Sequence, residues 1–345
     1  MDLLDQVATP LRVIDEVRGI DRLEPLDGYQ REVVAVVRQL LADNTDALQV
    51  THAMAHVNDT LTKRLLRLAE TELGRPPCDY AWLALGSHGR GELVLSSDQD
   101  SAIAIDDRAE GMAIEYFQRL ASLVVAALVR AGLPLCDGGY MATNWCRRIG
   151  DFRAMFRGWV WEPEPDALLQ AEVFLDVRPV HGGLSVDALE GILVAGGSRR
   201  QFLVQMARAA VTFRPPLRSF GPLRAKDSTI DVKRGGTAAI VLLARLYALA
   251  AHSTARTTVQ RLEAAAAAGT LSRAGAGDLV EAYRMLTGLR LRHQVEQVGD
   301  GRVPDNRLPL NDLSVSERRR LRDLLRVVRD VQDATDLRFA MHSVT

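Results

Sequence analysis

Leu85-Gly86-Ser87-His88-Gly89-Arg90-Gly91-Glu92, followed by Ser97-Asp98-Gln99-Asp100, decides how this chain of 345 residues is read. The apolar run 80–85 leading into it predicts a buried strand. That strand ends in Gly86-Ser87, where a missing side chain lets backbone amides approach an anion closely. A short helix is expected next, its N-terminus aimed at the same place. Asp98 and Asp100 then alternate into the apolar segment 102–105, so a second strand is expected over 98–105. Alternate residues of a strand share a face, which sets the two aspartates side by side with Cα atoms about 6.6 Å apart. A phosphate cradle beside two convergent carboxylates suits a nucleoside triphosphate and its magnesium.

Upstream, residues 1–73 read as helices. Val33, Val34, Val36, Val37, Leu40 and Leu41 recur at helical spacing, as do Met54, Val57, Leu61, Leu65, Leu66 and Leu68. Gly74-Arg75-Pro76-Pro77 ends that pattern. Downstream of the acidic pair, a helix is expected over 111–131, an interrupted strand over 133–141, and a strand or helix end over 173–180. From Leu184 onward the chain reads as helices. Residues 238–251 are apolar apart from Arg245, and 257–268 end in an alanine run closed by Gly269. A further helix is expected over 278–298. Ser314 with Glu317 has capping-box spacing ahead of the stripe Leu321, Leu324, Leu325, Val328, Val331. The expected organisation is an α+β chain with a helical segment at 1–73, a sheet domain at 74–185 and an all-α domain at 186–345.

Composition narrows the function classes. The chain is 47% hydrophobic and 25% charged with net charge -1, the balance of a soluble globular protein and not of a general nucleic-acid binder. Cys78, Cys136 and Cys146 are scattered, without disulfide or metal-ligand spacing, which points to a reducing cytoplasm and to small core side chains. The acidic start, Met1-Asp2-Leu3-Leu4-Asp5, lacks a signal-peptide pattern, and no unbroken apolar run approaches the ~20 residues of a membrane span. Lysine is nearly absent: Lys63, Lys226 and Lys233 are the whole set, so each merits attention. His52 and His56 are one helical turn apart, but Ala53 stands where a metalloprotease helix carries glutamate, so a helix-surface pair is expected.

Nucleotidyl transfer places most of its demand on positioning and charge neutralisation. Asp98 and Asp100 supply two metal-bridging carboxylates, and a neighbouring strand usually supplies a third.

The motifs Gly86-Ser87, Gly89-Arg90, Glu92 and Ser97-Asp98-Gln99-Asp100 resemble the polymerase β-like nucleotidyltransferase superfamily. The wording is most similar to the bacterial nucleotidyltransferases related to the amino-terminal domain of PII-protein uridylyltransferase. Residues 136–144, 174–179 with Gly182, and 230–236 resemble further family segments. The stretch 289–294 with Pro304-Asp305-Asn306 resembles the helical substrate-binding domain that follows in that family. The resemblance implies a polymerase β-like mixed sheet flanked by helices, and Mg2+, or Mn2+ in its place, as cofactor. It implies transfer of UMP or AMP from a nucleoside triphosphate to an acceptor hydroxyl, most plausibly on a protein, without membrane or general nucleic-acid binding. Asp98, Asp100 and Asp176 are implied as catalytic metal ligands, with Asp137 as the alternative third carboxylate. Gly86, Ser87, Arg90 and Lys233 are implied as phosphate contacts. Many relatives carry ligand-sensing modules upstream, and the large uridylyltransferase carries a hydrolase domain downstream. Neither is expected here, so neither nucleotide sensing nor uridylyl removal is. The competing readings are a non-catalytic nucleotide-binding regulator and an antitoxin-like protein adenylyltransferase.

Overall fold

Tyr80–Ala84, buried at every position, forms β1 at the interior of a four-stranded sheet. The computed structural model describes residues 8–23, 26, 28–164, 171–217, 223 and 228–340. The acidic start at 1–5 and Lys226 lie outside the described residues. Ser101–Ile105 forms β2, equally buried and antiparallel to β1, with Tyr80 opposite Ile105 and Ala84 opposite Ser101. Arg178–Gly182 (β4) runs antiparallel along the other side of β1. Cys146–Arg148 (β3) pairs parallel with β2 and gives the sheet order β3-β2-β1-β4. The sheet is mixed and the chain is α+β.

Two details differ from the sequence expectations and a third resolves one. The second strand begins at Ser101, and Asp98 and Asp100 stand in the segment leading into it. Residues 133–141 form a loop rather than a strand, joined to Gln99 by one bridge at Leu135. Pro134 has no N–H to give a ladder and Gly138-Gly139 turns the chain, so pairing stops there. Residues 173–180 are both things expected: a helical turn at 171–174 and then the start of β4.

The chain divides into two compact units, one of residues 1–156 and 171–189, the other of 157–170 and 190–345. The helices Ala8–Gly19 (α1), Tyr29–Ala42 (α2) and Ala47–Leu73 (α3) thus share the first unit with the sheet. They pack on one another, and α3 also packs on Met112–Arg130 (α5); Leu61, Leu65 and Leu66 of α3 are fully buried. By length and composition alone α5 is apolar enough to cross a membrane, although no unbroken apolar run in it approaches that length. Its Phe117, Leu120, Ala121 and Val124 are buried within the unit.

The second unit, as described, is helical with one short antiparallel ribbon, Thr229–Asp231 with Arg307–Pro309. Ala238–Ala250 is buried along nearly its whole length. Thr257 and Gln260 form a capping box on Thr258–Ala267. Ser314 and Glu317 form the second, as their spacing predicts: Glu317 N–H donates to Ser314 Oγ at 3.2 Å, and Ser314 N–H to the Glu317 carboxylate at 2.9 Å.

The five-residue helix after β1, Gly86–Arg90 (α4), is pressed against the segment before β4. A Cβ on Gly89 would lie 1.7 Å from the Asp176 carbonyl oxygen, a backbone atom that cannot step aside. Gly89→Ala is therefore expected to lower stability by at least about 3 kcal/mol, beyond the usual overpacking cost. Urea denaturation of the two proteins measures it.

Candidate active site

The site grows from the register of β1 and β2. With Ala84 opposite Ser101, the chain beyond β1 meets the chain before β2, and Leu85 N–H donates to the Asp100 carbonyl at 3.0 Å. Gly86 follows with φ +53°, a conformation that disfavours a side chain. A Cβ there would stand 2.7 Å from Asp100 Oδ2. The backbone of the turn and the Asp100 carboxylate thus occupy neighbouring space that only glycine leaves open. Ser87 is half-buried beside it.

The loop 133–142 is laid along the acidic segment by backbone and side-chain hydrogen bonds. Gln99 N–H donates to the Pro134 carbonyl at 2.9 Å and its side-chain amide to the Leu133 carbonyl at 2.8 Å. Ser101 N–H donates to the Tyr140 carbonyl at 2.8 Å, and Ala142 N–H to Ser101 Oγ at 3.1 Å. This brings Cys136 to the two aspartates. One ligand atom from each of Asp98, Asp100 and Cys136 lies within 4.8 Å of the others, and all three residues are half-buried. Burial, then the nearby charges of Asp100 and Asp98, push the Cys136 thiol up to about 12, despite a hydrogen bond from the backbone that acts the other way. At neutral pH the thiol is protonated. The donor set fits a divalent cation: two carboxylates are the hard oxygen ligands that Mg2+ and Mn2+ take, with the thiol a softer neighbour.

Sequence reasoning took Cys136 for a core side chain. The signal available was its place in a family-like segment, not its spacing from the aspartates. Asp137, the alternative carboxylate, is exposed in the adjoining turn and outside this cluster. Asp176 is also outside it. Its side chain is fully buried and ion-paired with Arg90, and Arg90 Nε also donates to Glu92 at 2.7 Å. Two residues assigned separately, one to the metal and one to the phosphates, are thus partners in the structure.

A second, half-buried carboxylate holds α4 to α3. Asp59, on α3, accepts both arms of the Arg178 guanidinium at 2.9 Å and hydrogen-bonds His88 Nε2 at 2.7 Å. Arg178 also donates to the carbonyls of His88 and Gly89 at 3.2 and 3.3 Å. Burial alone would raise the Asp59 carboxyl, but hydrogen bonds from His88 and Arg178 outweigh it and hold it well below the ordinary value of 3.8. Sequence reading assigned Asp59 no role, because its partners lie far away in the chain.

Lys233 lies in the second unit, exposed on the π-helical turn Lys233–Thr237. Asp231 Oδ1 accepts the backbone N–H of Lys233 and of Arg234 at 2.9 and 2.8 Å. Two of the family-like segments meet in this unit. Arg290 donates to Asn306 Oδ1 at 2.9 Å and to Thr237 Oγ1 at 3.2 Å, and Val232 N–H to the Asn306 carbonyl at 3.1 Å.

Comparison with known proteins gives two family matches and one partial relative. Residues 31–166 match the family described as "Putative nucleotidyltransferase DUF294", and residues 200–339 the one described as "Putative nucleotidyltransferase substrate binding domain". The chain is also 28% identical over 117 residues to the "Bifunctional uridylyltransferase/uridylyl-removing enzyme" of Aromatoleum aromaticum. That match spans 32% of this chain and 13% of the enzyme.

Asp59→Asn removes the charge that Arg178 and His88 share. It is expected to cost about 2–4 kcal/mol, as when one partner of a largely buried pair is lost. Because the folded Asp59 carboxyl titrates below its unfolded value, its contribution is fully present above about pH 4 and lost as pH falls through the folded value. The gap between wild type and variant in urea melts is therefore expected to narrow from pH 5 towards pH 2.

Proposed function

We propose that this chain, which belongs to the nucleotidyltransferase family DUF294 and carries that family's substrate-binding domain, moves a nucleoside monophosphate from a nucleoside triphosphate to an acceptor hydroxyl. The observation that carries this reading is the convergence of Asp98 and Asp100 beside a turn whose backbone is left bare by Gly86. Mg2+, or Mn2+ in its place, held by the two carboxylates, would neutralise phosphate charge and orient the α-phosphorus. The backbone of Gly86 and Ser87 and the Ser87 hydroxyl bind the phosphates. The acceptor oxygen attacks the α-phosphorus, the bond to the β-phosphate oxygen breaks, and pyrophosphate leaves with that electron pair.

Asp176 and Arg90 act together on this reading. A triphosphate competes with Asp176 for the Arg90 guanidinium, which binds phosphate as readily as carboxylate. Released, Asp176 is available as the third carboxylate, to take or orient the acceptor proton. The helical unit, which matches the substrate-binding family, recognises the acceptor, a protein side chain. UMP and AMP are both candidates for the group moved. The similarity to a uridylyltransferase makes UTP the first donor to test.

Asp98→Asn with Asp100→Asn is expected to reduce transfer from α-labelled UTP or ATP, and release of pyrophosphate, to background. The circular dichroism spectrum should remain that of the wild type. Undiminished pyrophosphate release in the double variant would exclude the mechanism. Magnesium-dependent nucleotide binding by the wild type without release would favour the regulator.

A further inference from the structure

We propose that the cavity between α1 and α3 is a second, separate binding site, for a small anion carrying two or more phosphate groups. It encloses about 450 Å³ and is lined by Arg18, His56, Thr60, Lys63, Arg64 and Arg67. No carboxylate lines it, and it shares no residue with the Asp98–Asp100–Cys136 cluster.

Five of the lining residues form one stripe of α3, at positions i, i+4, i+7, i+8 and i+11 from His56. Lys63 and Arg67 are one turn apart, a like-charge pairing that destabilises a bare helix. Charged residues gathered this way usually carry acidic partners between them. Here none of Lys63, Arg64 and Arg67 has a carboxylate within 4.0 Å among the described residues. Arg18 pairs with Asp15 at 3.2 Å, and both side chains are largely in water, where such a pair contributes little. Lys63 and Arg64 are half-buried rather than swept out into solvent. Arg64 is fixed to the wall, its Nε donating to the Ile20 carbonyl. Lys63 is also one of only three lysines in the chain.

Phosphate chemistry matches these groups. Guanidinium forks bind phosphate oxygens in pairs and the lysine adds a mobile point charge. The volume lies in the range of small-ligand sites. The cavity has no Phe, Tyr or Trp side chain, the broad rings on which the bases of a nucleic acid strand usually stack. The net charge of -1 gives the chain no overall attraction for a polyanionic strand.

The test is isothermal titration of the full chain, without divalent metal and at fixed ionic strength, with pyrophosphate, tripolyphosphate, ATP and a 20-nucleotide RNA. Tripolyphosphate should bind, and Lys63→Met with Arg67→Glu should weaken it at least tenfold. Arg67→Glu alone, at an exposed position that cannot disturb the core, should weaken it by a smaller factor. Asp98→Asn with Asp100→Asn should leave it unchanged, which separates this site from the catalytic one. ATP binding tenfold tighter than tripolyphosphate assigns the site to a nucleotide. Equal affinities assign it to the phosphate chain itself, and both results support the site. Absence of heat with every phosphate, heat insensitive to the Lys63 and Arg67 changes, or RNA binding tighter than any small phosphate would overturn it.

Discussion

The hydrogen bond from Leu85 N–H to the Asp100 carbonyl is the joint on which the site depends. It exists because β1 and β2 pair with Ala84 opposite Ser101, and a slip of one residue would turn every side chain of β2 to the other face. Given that register, the glycine turn and the acidic segment meet without further instruction. The space beside the Asp100 carboxylate is then set by what Gly86 lacks. Hydrogen bonds from the Gln99 side chain and from the backbone at 99 and 101 add the loop that delivers Cys136.

Behind this joint, α4 is held by charge rather than by apolar packing alone. Asp59 with His88 and Arg178, and Asp176 with Arg90 and Glu92, are largely buried groups that tie α3, α4 and the edge of β4 together. Buried ion pairs contribute little net stability, because desolvation offsets their attraction. Their effect here is positional: the carbonyls of His88 and Gly89 are fixed by the same guanidinium that Asp59 orients. A five-residue helix has too few backbone bonds to hold itself, so its place must be imposed from outside.

The sheet's interior was legible because Tyr80–Ala84 and Ser101–Ile105 are short apolar runs bounded by turn residues. Cys146–Arg148 was not: it has three residues, two of them arginines, and it exists by pairing with β2. Residues 133–141 misled because Leu133 and Leu135 read as strand while Pro134 removes a donor between them. The aspartate pair was visible as a motif, and its two carboxylates do lie together, although the segment carrying them precedes the strand. The partnership of Arg90 with Asp176, and of Asp59 with Arg178, spans 86 and 119 residues of chain and leaves no local pattern to read. Helix caps fared better, since Ser314 and Glu317 act within one turn. The α1–α3 cavity was half visible, in that Lys63 drew attention by rarity, but only packing shows that Arg18 joins it.

The account rests most directly on where a divalent cation goes. Crystals grown with Mn2+ and a non-hydrolysable nucleoside triphosphate analogue, measured at the manganese absorption edge, locate it by anomalous scattering. The account predicts a peak within coordination distance of a carboxylate oxygen of both Asp98 and Asp100, beside the phosphates at Gly86 and Ser87. Triphosphate bound with no peak between those carboxylates, or a peak on other residues alone, would contradict it.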